Sequence, residues 1–179
     1  MCDIELVSIA RADQTGLDAD QRVAPLRDEV LTLRPTPAQE VFSSYATRTL
    51  PEADADPQRT PFAVLAAGSA VGFGVLDRGG ALARVTDRSA TAVLLRAFYL
   101  DASVQGRGLG RAAVAALPCL VGLVAPDATR ILLTVNVANP AAIRAYLAGG
   151  FTDTGRQHPG GPAGPQHVLE LMLAQPASS

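Results

Sequence analysis

Residues 104–113 read VQGRGLGRAA. Gly106, Gly108 and Gly110 alternate with Arg107 and Leu109, and an alanine-rich segment follows Arg111. Glycines at that density leave backbone N–H groups uncovered, because no Cβ stands in front of them. A helix that starts there turns its positive end back on the same loop. The chemistry this suits is the capture of an anion. A second stretch, residues 139–151, reads NPAAIRAYLAGGF and carries Asn139 at a helix start and Tyr146 within the helix. Arg96 stands in an otherwise apolar run, ATAVLLRAFYL. A charge in such a strand is rarely buried without a partner. It has two readings. One is a salt bridge to a carboxylate such as Asp77 on the neighbouring strand. The other is a bidentate hold on an anionic group of a substrate, such as the carboxylate of an amino acid.

Two kinds of protein use a glycine loop of this sort. Residues 108–113 fit the G-x-G-x-x-G/A pattern of dinucleotide-binding folds. That fingerprint also needs an acidic residue at the end of the next strand, to hold a ribose. Here the next strand reads RILLTVNV and ends near Asn136, with no carboxylate. The loop also begins several residues beyond its strand, and most of the repeated β-α-β units are missing. The stretch FYLDASVQGRGLGRAAV instead resembles the acyl-CoA-binding motif of the GNAT superfamily of N-acyltransferases. The family pattern is Arg or Gln, two residues, Gly, any residue, then Gly or Ala. Gln105-Gly106-Arg107-Gly108-Leu109-Gly110 fits it. The second stretch agrees: Asn139, Ala142, Tyr146, Gly150 and Phe151 fall at the family's spacing. The resemblance covers residues 60–175 well, and the first 60 residues only in element order.

The resemblance implies that the anion is the pyrophosphate of coenzyme A, with acetyl-CoA as co-substrate. The backbone of residues 105–111, from Gln105 through Gly106, Arg107, Gly108, Leu109 and Gly110 to Arg111, would then bind it, and the two arginines would add charge-assisted bonds. The strand ending Phe98-Tyr99-Leu100 would splay from its neighbour and pair with the pantetheine arm as though with another strand. Asn139 would bond the coenzyme through its amide, cap the helix, or do both. Tyr146 becomes the catalytic candidate, a general acid for the leaving thiolate. A thiol titrates near about 8.5 and a tyrosine near about 10, so the transfer is uphill by only roughly 2 kcal/mol. The other reading of Tyr146 is a ring packed at a core edge. Many relatives carry a Glu as base on the strand before the loop or on the next one. Arg96 and Thr134 stand near those positions here, and neither is a base. That leaves a water chain, an outlying carboxylate or a histidine. His167 and Tyr45 join Arg96 as candidates on the acceptor side. The acceptor is expected to be a primary amine on a small molecule. From a different class, a non-catalytic acyl-CoA sensor would keep the loop without the turnover. The resemblance also allows a homodimer.

These residues must be positioned by a series of elements that the pattern of apolar residues lays out. Residues 4–9 (IELVSI) form a short strand. Val23, Leu26, Val30 and Leu33 recur at helical spacing, ahead of Pro35. Thr36-Pro37-Ala38-Gln39 resembles a capping box, opening a second helix to about residue 49. Residues 51–61 (PEADADPQRTP) are acidic and bounded by prolines, hence a loop. Residues 62–67 and 70–77 flank Gly68-Ser69 as a hairpin. A polar loop spans 78–89, and a long strand spans 90–100. After the glycine loop an alanine-rich helix runs to about residue 124, with Pro118 inside it. A strand over 130–137, a helix over 139–149 and strands over 151–156 and 168–174 complete the series. The fold class is mixed α/β: a mostly antiparallel sheet of the GNAT type, helices on both faces, and a splayed strand pair holding acyl-CoA.

Bulk composition narrows the classes further. The chain of 179 residues suits a single domain, 1–175, with a frayed tail at 176–179. It is 48% hydrophobic, enough for a core. Aromatics make up 4%, there is no Trp, and the net charge is −2, so no nucleic acid is expected as partner. All 15 basic residues are Arg. A Walker-type loop and a Schiff-base lysine are thereby excluded. Cys2 and Cys119 give neither a disulfide framework nor a zinc spacing, and no metal is expected. No apolar run reaches the roughly 18 residues of a membrane span. The N-terminus has no signal-like segment, and a cytoplasmic setting is the default.

Overall fold

A computed structural model describes residues 4–11, 20–42, 44–160 and 163–174. Cys2 and the expected frayed tail lie outside them. Seven strands form one sheet in the order β1-β2-β3-β4-β5-β7-β6. They are β1 (Ile4–Ser8), β2 (Arg59–Ala66), β3 (Ser69–Asp77), β4 (Ala92–Leu100), β5 (Arg130–Asn136), β6 (Thr152–His158) and β7 (Gln166–Met172). Every neighbouring pair is antiparallel except β4 with β5. That single parallel pair follows from the crossover helix between them, α5 (Leu109–Val124), since parallel neighbours need a long return connection.

Alternation along the central strands sorts side chains to two faces. Phe62 and Val64 of β2 join Val93 and Leu95 of β4, Ile131 and Leu133 of β5, and Val114, Leu117 and Val121 of α5 in one core. Ala63 and Leu65 face the other way, with Phe73 and Val75 of β3. They pack under α1 (Asp20–Thr32) and α3 (Ala46–Asp54). The expected stripe of Val23, Leu26, Val30 and Leu33 is buried there. Two-residue periodicity in the strands and the helical stripe in α1 thus build both layers.

Several boundaries differ from the sequence reading; β2 starts at Arg59, inside the expected loop 51–61, and β7 is Gln166–Met172 where 168–174 is expected. The expected helix over 37–49 is two helices, α2 (Pro37–Glu40) and α3. Thr36 makes no side-chain cap bond, and Val41 stays exposed. The apolar stripe that reaches the core is Ala46, Leu50 and Ala53, so the longer helix forms around it. It runs through Pro51, which the sequence reading took as a stop. The lost N–H bond is offset by burial of Leu50 and Ala53 and by the Arg27–Asp54 ion pair at its end. The β2–β3 turn is Ala67-Gly68, with φ of 51° and 83°, one residue before the expected pair. Positive φ at both central residues matches the right-handed twist of a hairpin. The expected polar loop 78–89 contains α4 (Gly80–Ala83) and buries Leu82 and Val85 in a small core with Leu94, Leu132 and Val168. The last helix, α6 (Pro140–Ala148), leads into β6. Among the described residues no helix is long and apolar enough to cross a membrane.

Candidate active site

The site begins where β4 stops being a regular strand. Tyr99 pairs with Phe73 and Arg96 with Val75, so Ala97 and Phe98 together stand against Gly74. Ala97 adopts φ of 49°, a left-handed conformation uncommon outside glycine. This is a β-bulge: one extra residue that bends the strand. Gly74 opposite it is required for packing, since a Cβ there would lie 2.4 Å from the Phe62 ring. On the other side, the β4–β5 ladder ends at Leu95–Leu133. β4 continues to Leu100 and β5 to Asn136, but residues 96–100 and 134–136 form no ladder with each other. The expected splay is present, and the bulge marks where it opens.

The glycine loop follows directly. Asp101 anchors it: Oδ1 accepts from the Ser103 amide at 3.0 Å and hydroxyl at 2.6 Å, and Oδ2 accepts from the Arg34 amide at 2.9 Å. Partial burial pushes the Asp101 pKa up, but these bonds outweigh it and hold the carboxyl below its ordinary value. The Gln105 amide donates to the Leu100 carbonyl at 2.9 Å and to Gln39 of α2 at 2.7 Å. Gly106 and Gly108 have φ of 76° and 78°, and Gly108 is the residue on which α5 starts. A Cβ built at either meets only open space. These glycines are therefore dictated by backbone conformation and leave the approach to their N–H groups clear.

A cleft of about 950 Å³ runs from this loop through the splay and on to α3. Gly106, Gly108, Gly110, Gln105 and Arg111 line one end, with Phe98, Tyr99, Leu100, Asn139 and Tyr146 along its length. Phe98, Tyr146 and Phe151 form a chain of ring contacts, 6.2 Å and 5.9 Å between centroids, that fixes the tyrosine ring. Its hydroxyl makes no hydrogen bond among the described residues. The ring is half-buried, and burial alone raises its pKa above the ordinary tyrosine value. It therefore stays protonated through neutral pH. The Asn139 Oδ1 caps α6 by accepting from the Ala142 amide at 3.2 Å, which leaves its Nδ2 for the cleft.

Other candidates land elsewhere. Leu109 packs into the core beneath α5, and Arg107 does not line the cleft. The Tyr99 side chain turns away: its hydroxyl accepts from the Ala46 amide at 3.0 Å and tethers the start of α3. Burial raises its pKa. His167 does not line the cleft either; its Nδ1 lies 3.2 Å from Asp153 on β6. Tyr45 lies beside α3 with the Arg34 guanidinium over its ring at 5.1 Å, again off the cleft wall. Arg96 forms the expected bridge to Asp77, 2.7 Å from Nη1 to Oδ2, and also lines the cleft. The sequence reading missed the wall of α3 and β2: Arg48, Glu52 and Arg59 all face the cleft. Their signal was the stripe Ala46–Leu50–Ala53, which would have put Arg48 and Glu52 together on the next face.

Residues 27–151 match the acetyltransferase (GNAT) family. The chain is 31% identical over 132 residues to the uncharacterized N-acetyltransferase YbbJ of Bacillus subtilis (strain 168), covering 74% of this chain and 82% of that one. Its fold is similar to AAC(6')-Ib in complex with ribostamycin and coenzyme A, with a TM-score of 0.65 at 22% identity over 95% of this chain and 93% of the other. It is also similar to spermidine N-acetyltransferase from Vibrio cholerae in complex with CoA and spermine, with a TM-score of 0.58 at 15% identity over 96% of each chain.

Proposed function

The chain belongs to the acetyltransferase (GNAT) family and is an acyl-CoA-dependent N-acyltransferase, and we propose that it moves an acetyl group from acetyl-CoA to a primary amine of a small molecule by direct attack in a ternary complex. One observation carries this reading: a single cleft joins the glycine loop, the open strand pair and Tyr146. The backbone of residues 105–111 and the start of α5 take the pyrophosphate, a favourable contact of about 1 kcal/mol and up to about 2 where partly buried. Arg111, on the cleft wall, adds charge. Residues 98–100 offer backbone groups to the pantetheine arm, and the Asn139 Nδ2 adds a donor. Acetyl-CoA supplies an activated acyl carbon and a sulfur leaving group.

In the reaction the amine nitrogen bonds to the acyl carbon and the carbon–sulfur bond breaks. Tyr146 gives its proton to the departing sulfur and regains one released by the nitrogen. The raised pKa of Tyr146 widens the proton gap to an ordinary thiol. Burial of the sulfur beside the ring would raise the basicity of the thiolate in the same direction. An alkyl ammonium is only about one part in two to three thousand neutral at pH 7, so its proton needs an exit. Glu52 is the carboxylate on the cleft wall among the described residues, and it receives that proton through water. Release of free thiol from acetyl-CoA, measured against a panel of primary amines, tests this reading. Tight acetyl-CoA binding with no amine-dependent thiol release would make the chain a binding module instead.

A further inference from the structure

Beyond Tyr146 the cleft ends against Arg48 and Glu52 of α3, Arg59 of β2 and Arg96 of β4. Behind two of these arginines lies Asp77, whose side chain is 1% exposed. Its Oδ2 accepts from Arg59 Nε at 3.1 Å and from Arg96 Nη1 at 2.7 Å, while Oδ1 accepts from the Gly79 amide at 2.7 Å. The buried carboxylate is fully engaged, and both guanidiniums are held in place by it. A guanidinium carries five N–H donors. Arg96 gives Asp77 only Nη1, and its side chain is 40% exposed. Arg59 uses Nε on Asp77 and Asp56 and directs Nη1 at the Glu52 carbonyl, 3.5 Å away. Donors on both therefore remain for the cleft, and their geometry is fixed in advance. Against them stands Glu52, already paired with Arg48 at 3.3 Å. Asp77 and Asp56 offset the arginines from behind, so the charge is near balance, but the face turned to the cleft presents planar cationic donors and, among the described residues, Glu52 as its carboxylate. A polycation would meet three guanidiniums and one engaged carboxylate. An amine carrying its own carboxylate would meet a fork that matches the carboxylate's two oxygens.

Resting on the acyltransferase reading, we propose that the acceptor is an amine that also bears a carboxylate, held by Arg96 and Arg59 with Asp77 as the positioning residue behind them. Polyamines and aminoglycosides, the ligands of the structural neighbours, are then poor acceptors for this chain. The test uses the full chain, acetyl-CoA and matched acceptors that differ by the carboxyl group: phenylalanine with phenethylamine, alanine with ethylamine, lysine with cadaverine. Spermidine and kanamycin are added as polycations. The expected result is a kcat/KM for the carboxylate-bearing member of a pair greater by roughly 10- to 100-fold, the range for a charge-assisted hydrogen bond, arising in KM. Arg96→Met and Arg59→Met should each shrink that ratio, and Arg96→Lys, which keeps the charge without the fork, should restore only part of it. If Arg96→Met fails to fold, Arg96→Lys alone decides. Preference for the decarboxylated amines or the polycations overturns the proposal, as does a ratio that Arg96 variants leave unchanged, or turnover of plain amines with none of any carboxylate-bearing member. Failure of the acyltransferase reading is separate: acetyl-CoA would then either not bind in calorimetry or bind with no thiol release from any amine, with or without a carboxylate.

Discussion

Replacing Gly108 with Val should separate what the glycine loop does for the fold from what it does for the coenzyme. Gly108 sits at φ of 78°, where a Cβ meets no protein atom within 4 Å. The fold therefore loses only the left-handed penalty, about 1–2 kcal/mol for a non-glycine residue. For a chain of this size each kcal/mol is worth roughly 2–4 °C, so the melting temperature should fall by about 2–8 °C. The coenzyme loses more. The new side chain stands in the open space before the N–H groups, and the helix-end contact of about 1–2 kcal/mol goes with it. Adding steric exclusion of the phosphate, acetyl-CoA affinity should drop by at least about 10-fold. Gly68→Val is the matched control. Its φ is 83°, its Cβ also meets open space, and it lies in the β2–β3 turn away from the cleft. Calorimetry on the two variants should find similar losses of thermal stability and a loss of affinity in Gly108→Val alone. Equal affinities would refute the assignment of the loop to the anion.

Tyr146→Phe keeps the ring contacts with Phe98 and Phe151, so it should fold normally. Its kcat should fall by about 10²–10⁴, the usual range for a positioned acid, and full turnover would mean that another group protonates the sulfur. Because burial raises the Tyr146 pKa, kcat should show no falling alkaline limb from this group below about pH 10, and such a limb in a pH–rate profile would contradict its role as acid. Asp101 has a lowered pKa, so the stability it contributes is present above its unfolded value of about 3.9 and is lost as pH falls through the folded value. Melting curves of the parent chain and Asp101→Asn should therefore differ at neutral pH and converge in acid. Gly74→Ala places a methyl 2.4 Å from the Phe62 ring, which should cost about 1–3 kcal/mol by denaturant melt and weaken acetyl-CoA binding by disturbing the bulge opposite; an unchanged midpoint would show that the ring moves freely.

Local features of the site were legible in the sequence, and features made by distant pairing were not. The glycine loop and the Asn139-to-Phe151 block were legible because each is a short run whose spacing is fixed by one helix start. The Arg96–Asp77 bridge was legible because a lone charge in an apolar strand must find an opposite charge near by. The bulge was not, since alanine has no preference for positive φ and nothing near Ala97 marks it. It shows only in the pairing, where Ala97 and Phe98 together face Gly74 of β3. The α3 wall was hidden by Pro51, which reads as a stop until Leu50 and Ala53 are seen to be buried. His167 was placed on the acceptor side from the order of elements, but the strand pairing turns its ring to Asp153.

The two halves of the sheet, β1 to β4 and β5 to β6, are laced together over only four residue pairs, from Ala92–Arg130 to Leu95–Leu133. Past that seam they part like the sides of an open zip. A ligand that fills the gap with backbone-like hydrogen bonds acts as the missing teeth, and its binding energy becomes cohesion of the whole sheet. At a ligand concentration 100 times Kd that cohesion amounts to about 2.7 kcal/mol. Amide exchange should therefore slow on residues 96–100 and 134–136 together when acetyl-CoA is present, and the unliganded chain should be at its most pliable along that one seam.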